Sequence, residues 1–95
     1  MVNQIIISEI LQYTGTTDTA SWYVGFATDA RQRLFTDHNV SEHSGQWIYR
    51  QAASEKDARD TEDHLLTRYR FKGGTGGGDR PTYVYAYKIT SMTRE

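Results

Sequence analysis

Between Trp22 and Leu34 the hydrophobic period changes from two to that of a helix across one short turn. In residues 21–26, Trp22, Val24 and Phe26 fall on one side and Tyr23 and Gly25 on the other, which is the alternation of a strand. Thr28 or Asp29 then caps a helix that begins at Ala30 and runs to about Asp37. A strand that turns directly into an amphipathic helix has to bury that helix against its own sheet, so this unit commits the chain to layers of helix on sheet.

The remaining elements fit that frame. Ile6, Ile7, Ile10 and Leu11 recur at helical spacing behind Asn3 as a cap and predict a helix over residues 4–13, although the β-branched run Ile5 to Ile7 suits a strand as well. Residues 14–19 and 39–46 are polar and read as loops. Residues 47–52 form a second strand with Trp47 and Tyr49 on one face. Ser54 caps a helix that has Glu55 and Asp57 in its first turn, extends to about Arg70 and ends before Gly73-Gly74. In residues 82–89 Tyr83, Tyr85 and Tyr87 alternate with Val84, Ala86 and Lys88, behind a Pro81 tolerated at a strand start. The expectation is one α+β domain over residues 1–95, with a sheet of about three strands and helices packed on it.

At 95 residues the chain can build only one small core, and with 37% hydrophobic and 13% aromatic residues its tyrosines and tryptophans must supply much of the buried area. A formal net charge of −1 offers no bulk attraction to nucleic acid, so any such contact has to come from a local patch. The absence of cysteine excludes disulfides and thiolate zinc sites. No run spans a bilayer and Ile5 to Ile7 is too short for a signal-peptide core, so the expected location is cytoplasmic, without a membrane partner.

Three residues break the pattern. Ala58, Leu65 and Tyr69 share a face of the third helix, and Glu62 lies inside that apolar stripe, away from Asp57, Asp60 and Asp63. A carboxylate there needs a partner, because burying it alone is costly. It is either one end of a structural salt bridge or a metal ligand or catalytic acid. On the second helix Ala30 and Leu34 define the inner face, and Arg33 stands on or beside it while Arg31 points elsewhere. Arg33 reads either as a stem covering the core or as a guanidinium held for a phosphate. Tyr23 alone reads as packing; with Arg33 and Glu62 it completes a set suited to phosphodiester cleavage. That chemistry needs a proton acceptor for water, a cation for phosphate charge and a carboxylate for a hard metal ion.

From Trp22 to Tyr69, about half its length, the chain resembles the GIY-YIG nuclease superfamily. Tyr23-Val24-Gly25 looks like the second motif of that family; Asp29 and Arg33 match the Asp and the helix Arg that follow it, and Glu62 before Leu65-Leu66 matches its metal-binding glutamate. The resemblance implies that Tyr23 acts as general base or orients the water, that Arg33 binds the scissile phosphate, and that Glu62 holds one Mg²⁺ (or Mn²⁺) that retains several waters. A free tyrosine has a pKa of about 10, so only on the order of one part in a thousand is ionised at pH 7, and a base role requires a cation or a proton relay. No Gly-Ile-Tyr triplet precedes Tyr23; Tyr13, ten residues upstream, stands in for that tyrosine. The family often carries a histidine one turn after the arginine; Asp37 takes that place here, with His38 beside it as the helper near Arg33.

Other features are weighed against plainer readings. Arg68, Arg70, Lys72 and Arg80, against Asp79, make a local basic patch that meets a nucleic-acid backbone or is a solvated helix end; with Arg31 they are the candidate nucleic-acid contacts. The tract Gly73 to Gly78 lacks a P-loop ending and reads as a connecting loop rather than a phosphate cradle. His38, His43 and His64 make no convincing zinc set. The tyrosines of the last strand are read as packing a helix in preference to stacking on bases. Two functions follow: a metal-dependent endonuclease with DNA as the favoured partner, or a catalytically inactive binding or inhibitor protein on the same scaffold, acting on nucleic acid or on another protein.

Overall fold

In the computed structural model, residues 3–73 and 80–94 are described. Helix α1 spans Gln4–Thr14, with the Asn3 side chain accepting from the Ile6 N–H, so the β-branched run is helical after all. A turn of 3₁₀ helix at Thr19–Ser21 leads into β1, Trp22–Ala27. Helix α2 opens at Ala30–Gln32, capped by Asp29, whose carboxylate accepts from the Gln32 N–H, and continues as π-helix over Arg33–Asp37. Then follow β2 (Trp47–Gln51), α3 (Glu55–Arg68, capped by Ser54), β3 (Lys72–Gly73) and β4 (Tyr83–Lys88).

The sheet has four strands in the order β2-β4-β1-β3. Strand β4 is antiparallel to both β1 and β2, and β3 runs parallel to β1. The fold is α+β as expected, with one strand more than the expected three. The extra strand, β3, is two residues long and has no alternation to betray it. It exists because the turn after α3, with Arg70 at φ 61°, brings Lys72 and Gly73 alongside Tyr23 and Val24.

The two faces of β1 explain the layers. Trp22, Val24 and Phe26 join Ile6, Ile7 and Ile10 of α1 and Ala58 and Leu65 of α3 in one cluster. Tyr23 and Ala27 join Ala30 and Leu34 of α2, with Val40, Tyr85 and Tyr87, in the other. Both central strands are therefore covered on two sides, and the tyrosines of β4 pack under α2, which is the packing reading of their alternation. The Gly-rich tract beyond Gly73 lies outside the described residues. No helix among those described is long and apolar enough to cross a membrane.

Candidate active site

The α2 face of the sheet collects the unusual polar groups. Tyr23 on β1 stacks on Tyr87 of β4 at a centroid distance of 5.2 Å and lies 4.8 Å from the His38 ring. Tyr85 is two register positions away, opposite Gly25. Its ring occupies the space a side chain at position 25 would need: a Cβ there would stand 2.5 Å from the Tyr85 hydroxyl oxygen and 2.6 Å from Cζ. Gly25→Ala is therefore expected to push Tyr85 out of place and to cost roughly 1–3 kcal/mol by overpacking. Urea denaturation measures this, and an unchanged midpoint would contradict the contact.

His38 holds this cluster together and is itself nearly buried, 7% exposed. Its Nε2 lies 2.8 Å from the Tyr85 hydroxyl, and its Nδ1 lies 2.6 Å from the Arg94 carbonyl oxygen and 3.1 Å from the Tyr87 hydroxyl. The π-helix explains why His38, and not Asp37, occupies this place. The His38 N–H donates to the Arg33 carbonyl, five residues back, so the wider turn carries position 38 onto the face that position 37 would hold in an α-helix. Sequence spacing put Asp37 one turn after Arg33; the backbone inserts a residue and puts His38 there. Asp37 instead accepts from Arg33, Nη1 to Oδ2 3.2 Å. The Arg33 Nε is buried and makes no hydrogen bond.

Glu62 belongs to α3, whose buried stripe with Ala58 and Leu65 packs on the other face of β1. It is 6% exposed and its Oε2 has no hydrogen-bond partner, so it is not one end of a structural salt bridge through that oxygen. Burial pushes its carboxyl up to about 7, the neighbouring Asp63 adds to this and Arg59 opposes it. Tyr85 is the point at which the charges meet. Burial raises its hydroxyl well above the usual phenol value; Tyr23 adds to the rise, Arg33 opposes it, and Glu62 and Asp37 add further.

The other candidates lie elsewhere. Tyr13 packs edge-on against Trp22, on the α1 side of the sheet, and its hydroxyl accepts from the Trp47 N–H at 3.1 Å. It does not stand beside Tyr23; that position belongs to Tyr85 and Tyr87. The expectation looked upstream along the chain, whereas the neighbouring strand comes from the far end of it. Arg31 is exposed, pairs with Glu42 at 2.5 Å, lies over the Phe35 ring and lines a groove of about 410 Å³ with Thr28, Asp29, Ala30, Tyr49 and Tyr83. Arg68, Arg70, Lys72 and Arg80 are exposed around the end of α3, β3 and the approach to β4. Lys72 is the register partner of Tyr23, so this basic patch adjoins the tyrosine cluster along the β1 edge.

Comparison of the chain with protein-family models, curated proteins and solved structures finds no match in any of the three.

Proposed function

We propose that this domain hydrolyses phosphodiester bonds in nucleic acid, DNA being the favoured substrate, as a metal-dependent endonuclease of the GIY-YIG kind in which β4 takes the place of the missing upstream triplet. What supports this reading is the buried Glu62 with its unpartnered Oε2 on α3, together with Arg33 on α2 and Tyr23 on β1 beside the Tyr85–His38 hydrogen bond; the charges of Arg33 and Glu62 both act on the Tyr85 hydroxyl. Tyr85-Ala86-Tyr87, antiparallel to Tyr23-Val24-Gly25, sets Tyr87 opposite the first motif residue and Tyr85 opposite its glycine. Glu62 is the residue that would hold the ion. Its orphaned, buried Oε2 suits a cation, and Mg²⁺ is content with one protein carboxylate and several waters. Among the described residues no group of three or more His, Cys, Asp or Glu is placed to hold a metal, so most of the ion's ligands would be waters. A bound Mg²⁺ or Mn²⁺ supplies positive charge to the phosphoryl oxygens and to the leaving alkoxide.

The side chains of the chain do the rest. Arg33 has donors to spare beyond Asp37 and neutralises the phosphate. Tyr85 is far too weak an acid to wait as tyrosinate, so it accepts a proton from the attacking water only while its own passes to His38 Nε2, 2.8 Å away. Tyr23, stacked on Tyr87, orients the water. The basic patch from Arg68 to Arg80 receives the flanking backbone.

The test is cleavage of single-stranded, duplex and branched DNA and of RNA with Mg²⁺ or Mn²⁺. Activity is expected in the native chain, with a loss of about a hundredfold or more in folded Arg33→Ala, in line with removal of a transition-state charge. The second reading, a binding or inhibitor protein, is favoured by the burial of Tyr23 and Glu62, 8% and 6% exposed. It gains if no substrate is cut and a complex forms equally well with EDTA present.

A further inference from the structure

The last residues of the chain reach the same cluster. The Arg94 N–H donates to the His38 carbonyl at 2.7 Å, and the Arg94 carbonyl lies 2.6 Å from His38 Nδ1 and 3.2 Å from the Tyr87 hydroxyl. Asn39, at φ 58°, turns the chain after His38 and donates from Nδ2 to the Met92 carbonyl at 2.8 Å, which holds the incoming segment down. The segment after β4 is therefore tied to positions 38 and 39 by main-chain and side-chain bonds together.

These contacts decide where the His38 protons sit. A carbonyl oxygen has no proton to give, so at 2.6 Å the Nδ1 must be the donor. Tyr87 cannot then donate to Nδ1, and its hydroxyl hydrogen goes to the second lone pair of the same carbonyl. Nε2 is left as the acceptor for the Tyr85 hydroxyl at 2.8 Å. When His38 takes up a proton, Nδ1 is already protonated, so the proton arrives at Nε2 and nowhere else. That balances the transfer: the O–H bond of Tyr85 breaks as the N–H bond at Nε2 forms, while Tyr85 regains a hydrogen from the attacking water.

We infer that the main-chain carbonyl of Arg94 is a positioning group for catalysis, which locks His38 in the Nδ1–H tautomer and so dedicates Nε2 to the Tyr85 hydroxyl. The inference rests on the nuclease reading for its consequence in catalysis, but the tautomer itself does not depend on that reading. The histidine side chain in water favours the Nε2–H tautomer, so the lock is a measurable departure. It also makes the segment around Arg94 part of the site through its main chain.

Long-range ¹H–¹⁵N correlation spectra of the native chain at a pH where His38 is neutral are expected to show Nδ1 protonated and Nε2 bare. An Nε2–H signal for His38 in the native protein overturns the inference with no variant needed. Arg94→Ala keeps the carbonyl and is expected to keep this tautomer. A chain ending at Thr93, checked for folding by circular dichroism, is expected to shift His38 to Nε2–H and to lower kcat at least tenfold with KM within twofold. If that chain does not fold, Asn39→Gly, which removes only the tie to Met92, is expected to speed exchange of the His38 Nδ1–H severalfold. Unchanged tautomer in the shortened chain, or unchanged exchange in Asn39→Gly, overturns the inference. If no substrate is cleaved by any form, the nuclease reading fails while the spectra still decide the tautomer lock.

Discussion

Glu62→Gln is expected to abolish metal-dependent cleavage and, at the same time, to make the metal-free protein more stable at pH 8. The glutamate is buried with an unpaired oxygen, and its carboxyl is raised from 4.5 to about 7. A raised carboxyl means the folded state binds the proton more tightly than the unfolded state. Stability therefore falls as pH rises from about 4.5 to about 7, and the full penalty, roughly 3 kcal/mol, applies above that window. Glutamine is neutral throughout and escapes it. Thermal unfolding is expected to show the variant higher in Tm at pH 8 by on the order of 10 °C, with the two proteins converging near pH 4. Mg²⁺ at pH 8 is expected to raise the Tm of the native chain and not of the variant, since an ion that binds only the folded state stabilises it. A pH-independent difference, or a less stable variant, would show that Glu62 is an ordinary structural carboxylate.

Tyr85→Phe carries the second large effect. The ring still fills the space over Gly25, so packing is kept and one hydroxyl is lost. His38 Nε2 then has lost its acceptor role in a buried place, which costs about 1–3 kcal/mol in urea denaturation. Single-turnover cleavage is expected to slow by roughly a hundredfold to ten-thousandfold, the range for a lost proton-transfer group. Tyr13→Phe is expected to leave the rate within twofold, because that hydroxyl serves the Trp47 N–H on the other side of the sheet. Equal losses in the two variants would remove β4 from the site and return Tyr13 to it.

Several parts of this arrangement were legible in the chain before folding was considered. Glu62 stands out because helical spacing puts a carboxylate into the Ala58–Leu65 stripe, and its burial in α3 agrees with that. The caps at Asn3, Asp29 and Ser54 announce their helices because capping is a local bond between a side chain and an N–H a few residues on. The role of His38 was only half legible. The π-turn at Arg33–Asp37 carries Leu34 into the cluster under α2, and no local propensity signals it.

What the sequence by itself determined is the strand-to-helix unit from Trp22 to Leu34, the α+β class and the odd carboxylate at Glu62, because each follows from periodicities and bonds that span only a few residues. What only the tertiary structure decided is which residues face Tyr23. Strand pairing joins segments separated by some sixty residues, and the register Gly25 to Tyr85 is set by side-chain volume across the sheet, the bare glycine making room for the ring. The tyrosines beside Tyr23 therefore come from β4 and not from position 13, and the carbonyl at His38 Nδ1 comes from Arg94. Pairing of that range is a property of how whole faces pack, and no stretch of the chain contains it alone.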